Sequence, residues 1–201
     1  MRRIVVFNRV SADGYFAKLD GDLSWFVADD GIDRAGADNM PRFDAMLFGR
    51  RTYDLFEHFW PNALNDPETA ADPHDARRHT KTIRDMAVWI NETHKLVFSN
   101  TRKELAWQNS RSLGAFDANT VRELKLQSGK DIIVFGSGSI VSQLSEQGLI
   151  DEYQFIVSPL LLGDGKPMVS GLANSVELTL IEAKPYPSGN VSLRYARKTR
   201  A

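Results

Sequence analysis

Asp131-Ile132-Ile133-Val134-Phe135-Gly136-Ser137-Gly138-Ser139-Ile140 is the stretch on which the fold turns. The unbroken apolar run from Ile132 to Phe135 is the pattern of a strand buried on both faces, as in a parallel sheet. Ile140, Val141, Leu144 and Leu149 then recur at helical spacing. The unit is strand, glycine-rich turn, helix. Such a turn lets a backbone approach a phosphate closely, and the helix start offers unpaired N–H groups and positive potential. The same stretch also fits a tight turn with no ligand. It is not the dinucleotide fingerprint of three spaced glycines, because the third position holds Val141.

The same grammar repeats along the chain. Ile4 to Phe7 reads as a central strand, buried on both faces. Ala45 to Gly49 is a second strand, and Thr52 can cap a helix running through Tyr53, Leu55, Phe56 and Phe59 until Pro61 ends it. A helix over Thr80–Asn91 (Ile83, Met86, Ala87 and Ile90 on one face) precedes a third strand, Lys95 to Phe98, which runs into Ser99-Asn100-Thr101. Asn119 to Gln127 is helical, and Glu152 to Val157 is a further strand. Val176 to Ile181 and Val191 to Tyr195 alternate around Pro187-Ser188-Gly189-Asn190, which predicts an antiparallel hairpin.

Between these lie segments with weaker patterns. Asp13-Gly14 and Asp20-Gly21 mark an ordered loop or short hairpin after the first strand, and Asp29 to Arg42 is weakly helical. Residues 62–78 contain prolines and many polar residues without apolar periodicity, and read as a surface excursion. The basic run Arg77-Arg78-His79-Thr80-Lys81 reads as the solvated face of a helix.

Composition narrows the function classes. A chain of 201 residues, 42% hydrophobic and 25% charged, suits one domain over 1–201 with its own core. A net charge of −1 provides no global basic field, so neither nucleic acid nor an anionic membrane is an expected partner. The absence of cysteine removes disulfides, thiolate metal sites and cysteine nucleophiles, and suits a reducing cytosol. No apolar run is long enough for a signal peptide or a membrane span, so a cytoplasmic location is expected. His58, His74, His79 and His94 lack paired ligand spacing, and no metal site is expected.

Parallel strands joined by helices bring their carboxyl ends to one edge, where ligands bind. Gly49-Arg50-Arg51-Thr52 forms a second strand-to-helix corner, at which a guanidinium could clamp a phosphate. An arginine there points to the 2′-phosphate of NADP rather than to NAD. Ser99, Asn100 and Thr101 would add donors to the same end, although alone they are an ordinary turn.

Several motifs together carry a family resemblance: Ser11-Ala12-Asp13-Gly14, Asp22-Leu23-Ser24-Trp25-Phe26, Gly49-Arg50-Arg51-Thr52-Tyr53, Val97-Phe98-Ser99-Asn100-Thr101, Val134-Phe135-Gly136-Ser137-Gly138 and Leu162-Gly163-Asp164-Gly165-Lys166-Pro167. Over nearly its whole length the chain resembles the dihydrofolate-reductase-like superfamily. Within it, the nearest group is that of the reductase domain of bacterial riboflavin-biosynthesis deaminase-reductases. The resemblance implies an α/β fold of three layers, a mostly parallel central sheet with helices on both faces and a C-terminal antiparallel hairpin. It implies a homodimer that uses NADPH to reduce a small pyrimidine- or pteridine-like substrate. Gly49, Arg50 and Thr52, Ser99, Asn100 and Thr101, and Gly136, Ser137, Gly138, Ser139 and Ile140 would hold the cofactor. Asn8 and Trp25 would meet the substrate, and Asp22, with Asp13 as competitor, would assist protonation. The chain departs from the riboflavin-pathway reductases at Tyr15, where they carry lysine, and in the Gly31–Met40 segment, where they carry a basic helix. Dihydrofolate reductase itself and a non-catalytic NADP(H)-binding regulator are the alternative readings.

Overall fold

A computed structural model describes residues 1–198. The strands are β1 Ile4–Ser11, β2 Tyr15–Ala17, β3 Phe43–Gly49, β4 Ala70–Asp72, β5 Asp75–Thr80, β6 His94–Phe98, β7 Ser110–Gly114, β8 Asp131–Phe135, β9 Glu152–Ser158, β10 Lys166–Pro167, β11 Leu178–Pro185 and β12 Val191–Arg197. The α-helices are α1 Asp30–Asn39, α2 Arg50–Phe59, α3 Lys81–Glu92, α4 Ala118–Leu126 and α5 Gly138–Glu146.

Eight strands form one sheet in the order β11-β12-β9-β1-β8-β3-β6-β7. β9, β1, β8, β3, β6 and β7 run parallel, and β12 and β11 add antiparallel pairing at one edge. The strand read as central is central, and the tail forms the expected hairpin. The sheet's period of two sorts the apolar residues into two cores. Ile4, Val6, Ala45, Leu47, Ile132 and Val134 face Val121 and Leu124 of α4 and Ile140, Val141 and Leu144 of α5. Val5, Met46, Phe48 and Ile133 face Tyr53 of α2 and Ile83, Ala87 and Ile90 of α3. This is why the strands read as unbroken apolar runs: each buries both faces. A fully buried Ile or Phe contributes roughly 1.5–3 kcal/mol.

Two expectations need correction. Residues 62–78 are not a structureless excursion: Asn62–Leu64 is a turn of 3-10 helix, and β4 pairs with β5 in an antiparallel hairpin. The basic run is not a helical face. Arg77 to Thr80 belong to β5, and Thr80 caps α3 by accepting from Ile83 N at 3.1 Å. Arg78 is 18% exposed and binds Asp72, Asp30 and Asp33, so its burial is matched by carboxylates rather than by apolar contacts. Among the described residues, no helix is long and apolar enough to cross a membrane.

Candidate functional site

The carboxyl ends of β1, β3, β6 and β8 meet at one cavity of about 1380 Å³. Its glycine-rich wall is fastened by a single hydroxyl. Ser137 adopts a left-handed conformation (φ 58°, ψ 54°) at the start of α5. Its Oγ accepts from Gly49 N at 2.8 Å and donates to Thr52 Oγ1 at 2.9 Å. The two strand-to-helix corners are thereby bolted together, so the starts of α2 and α5 open on the same space. The first N–H groups of a helix have no intrahelical acceptor, and two such termini facing one cavity form a strong site for anions. Gly136 (φ 53°) would be strained by a side chain here, since a Cβ would lie 3.0 Å from Thr52 Oγ1 and Thr52 would have to give way.

Thr52 does not cap α2 as expected. The helix begins at Arg50 after Gly49, with no side-chain cap, and the Thr52 hydroxyl faces Ser137. Arg50 and Arg51 line the cavity rim, where Arg50 Nη1 donates to Asp54 Oδ2 at 2.9 Å. Ser99, Asn100 and Thr101 line it at the end of β6, and the Ser99 Oγ accepts from Arg102 N at 2.8 Å. Asn8, Gly49, Arg50, Thr52, Ser99 to Thr101 and Gly136 to Ile140 therefore share one cavity. The amide Nδ2 of Asn8 is buried there with no hydrogen-bond partner.

The other expected site residues lie elsewhere. Asp22 is in a turn, where its carboxylate takes Lys18 Nζ at 2.7 Å, Ser24 Oγ at 2.7 Å and Ser24 N at 2.9 Å. Lys18 and then Ser24 hold it well below the usual carboxylate range, a poor setting for a proton donor. Asp13 accepts from the Ser11 hydroxyl and from the N–H groups of Leu162 and Gly163. These bonds, Ser11 first, also hold it low, and it ties two loops together. Trp25 packs edge-on against Phe26, and of the two Phe26 reaches the cavity.

The acidic groups that do line the cavity include Asp33 and Asp72. Asp29 caps α1 through Gly31 N and Ile32 N, which sets Asp33 one turn into the helix, facing inward at 6% exposure. Burial pushes the Asp33 carboxyl up, against the pull of Arg78 and Arg9. Arg78 Nη2 reaches Asp33 Oδ2 at 2.6 Å and Arg9 Nη2 reaches Oδ1 at 3.4 Å. Arg9 also donates to Val27 O at 3.2 Å, and its guanidinium lies 5.6 Å from the Phe26 ring centre.

His74, at the tip of the β4–β5 hairpin, lines the same cavity. Burial and then the charge of Arg9 lower its pKa to about 4. The unfolded chain, with histidine near 6.5, binds more protons between those values, so folding stability falls as pH drops from 6.5 through 4. The full effect reaches at most about 3 kcal/mol. Urea denaturation at pH 7 and pH 4.5 is expected to show a stability gap that His74→Phe narrows. An unchanged gap in the variant would contradict the assignment.

A mostly parallel sheet closed by an antiparallel hairpin, with its cavity at the strand ends, defines a dihydrofolate-reductase-like α/β protein. Residues 2–192 match the model of the RibD C-terminal domain, and the chain belongs to that family. The Bacillus subtilis protein YyaP is 26% identical over 196 residues, covering 96% of this chain and 94% of that one. A solved putative riboflavin biosynthesis protein from Shewanella sp. PV-4 superimposes with a TM-score of 0.74 at 21% identity, covering 98% of this chain and 99% of that one. The dihydrofolate reductase of Enterococcus faecalis complexed with NADP(H) gives 0.61 at 10% identity, covering 98% and 97%. The chain is thus related to reductase domains.

Proposed function

We propose that this protein is an NADPH-dependent reductase of a small, pyrimidine- or pteridine-like heterocycle, working in the cytoplasm. The observation that carries the reading is the bolted pair of helix starts: Ser137 joins Gly49 and Thr52, and both anion-binding termini face one cavity. The residues fit a dinucleotide. Gly136 to Ile140 and Gly49 to Thr52 would hold phosphates, Arg50 and Arg51 at the rim would select the 2′-phosphate, and Ser99 to Thr101 would meet the adenosine end. When bound, NADPH supplies the hydride.

Reduction of a ring C=N bond also needs a proton. Asp33, rather than Asp22 or Asp13, is placed to relay one: it is buried at the cavity, and burial raises its carboxyl against the pull of Arg78 and Arg9. The Asn8 amide would donate to an acceptor on the ligand, which would satisfy a group that otherwise has no partner.

Titration of NADPH and NADH into wild-type and Arg50→Ala protein tests the cofactor assignment. Loss of a charge-assisted bond costs about 1.5–3 kcal/mol, so NADPH affinity is expected to fall roughly 10- to 100-fold while NADH affinity barely changes. Equal effects on both cofactors would sink the 2′-phosphate role. No binding of either would sink the reductase reading.

A further inference from the structure

Asp13 fixes the loop that follows β9: its carboxylate takes Leu162 N at 3.1 Å and Gly163 N at 2.8 Å. The chain then closes onto the segment after β1. β10 pairs with β2, setting Lys166 opposite Ala17, and a Cβ on Gly165 would fall 2.5 Å from Ala17 O. The two-stranded ribbon so formed lies against the start of α5. A Cβ on Gly138, the first residue of that helix, would lie 3.0 Å from the Phe16 ring, 3.3 Å from Pro167 O and 3.4 Å from Met168 O. Lys166 is therefore held beside a helix start, on the wall of the same cavity.

Two features of this side of the cavity point to a ligand. Lys166 is half-buried, and among the described residues its ammonium makes no hydrogen bond and no ion pair. The acids of the two loops are committed elsewhere: Asp22 to Lys18 and Ser24, Asp13 to Ser11 and the loop amides, Asp20 to Asp22 N and Asp164 to Gly165 N. An ammonium without a counter-charge is repelled by the positive end of a helix, and an anion between the two turns that repulsion into attraction. The second feature is Asn8. It alternates with Val6 and Val10, so it projects from β1 to the face that α5 and Phe16 cover, and its amide is buried there, at 5% exposure, without a partner.

We propose that Lys166 is a cofactor-contact residue whose ammonium pairs with the diphosphate of the dinucleotide, adding one full positive charge to the partial charges of the two helix starts. The inference rests on the NADPH reading and adds to it a contact that is blind to the 2′-phosphate. An ammonium on a flexible stem reads charge at one point, so it serves NADPH and NADH alike, whereas Arg50 and Arg51 stand at the α2 corner. Lys184 supplies the comparison. It also lines the cavity without an ion pair among the described residues, but it is exposed, lies over the Tyr186 ring and stands on β11, with β12, β9 and β1 between it and the α5 corner.

Fluorescence titration of NADPH and NADH into the wild type and three variants tests the proposal. Lys166→Met keeps the stem and removes the charge, Lys166→Arg restores the charge, and Lys184→Met removes the other unpaired cavity lysine. Lys166→Met is expected to weaken both cofactors by the same factor, about tenfold, and Lys166→Arg to recover most of the loss. Lys184→Met is expected to bind both as the wild type does. The proposal is overturned if Lys166→Met binds NADPH as tightly as the wild type, if its loss with NADPH is absent with NADH, if Lys166→Arg recovers nothing, or if Lys184→Met weakens binding equally. Failure of the wild type to bind either cofactor is a separate result: it overturns the reductase reading, and this inference with it.

Discussion

Gly136→Ala is expected to bind NADPH about 10- to 100-fold more weakly than the wild type and to lose roughly 1–3 kcal/mol of stability. Position 136 has φ 53°, and an added Cβ would meet Thr52 Oγ1 at 3.0 Å and Thr52 Cγ2 at 3.1 Å. Thr52 cannot retreat freely, because its hydroxyl holds Ser137, which in turn holds Gly49 N. A shift at this point separates the starts of α2 and α5 and spoils the paired anion site. Gly163→Ala is the matched control: φ is also positive, at 75°, but nothing lies within 4 Å of the added Cβ. It shares the backbone strain without the clash, so its NADPH affinity is expected to stay at the wild-type level. Equal cofactor affinity in the two variants, read by fluorescence titration beside urea denaturation, would contradict this account.

Arg78→Met is expected to cost about 3 kcal/mol at pH 7, near the lower end for breaking a buried ion pair, because Asp30 is 67% exposed and can turn to water. Asp33 and Asp72, each 6% exposed, cannot. They would be left facing each other with Arg9, 3.4 Å from Asp33, as the remaining counter-charge. Arg78→Lys should recover only part of the loss, since an ammonium does not present the planar fork that reaches three carboxylates. The deficit of Arg78→Met relative to wild type is expected to shrink between pH 7 and pH 5, as the Asp33 carboxyl, already raised by burial, takes up a proton. A loss under about 1 kcal/mol at pH 7 would mean that the network adds little to the fold.

The strands were legible because each buries both faces. Ile132 to Phe135 and Ala45 to Phe48 lie between two helical layers, so their sequences are unbroken apolar runs. The two strand-to-helix corners were legible because glycine next to a strand end marks a tight turn that other residues adopt less readily. The hairpin over 70–80 was not, because charge pairing rather than apolar alternation holds it: Asp75-Ala76-Arg77-Arg78-His79-Thr80 has no hydrophobic face to detect. Asp33 was missed for a related reason. The resemblance implied Asp22, in the Asp22–Phe26 motif, but the helix starts only at Asp30, and the cap at Asp29 aims a later carboxylate at the cavity. Asp29 and Asp33 stand four residues apart in a segment of weak helical pattern, which is a faint signal. Arg9 and Arg78, the groups that give Asp33 its setting, lie 24 and 45 residues away along the chain.

Hydrogen–deuterium exchange with and without NADPH tests the central claim most directly, because it reports both whether the cofactor binds and where. The account predicts slowed exchange at the amides of 49–52 and of 136–140 together, with smaller changes at 99–101 and little in α4 or in the β11–β12 hairpin. Protection confined to one of the two helix starts, protection elsewhere on the molecule, or none at saturating NADPH would contradict the account.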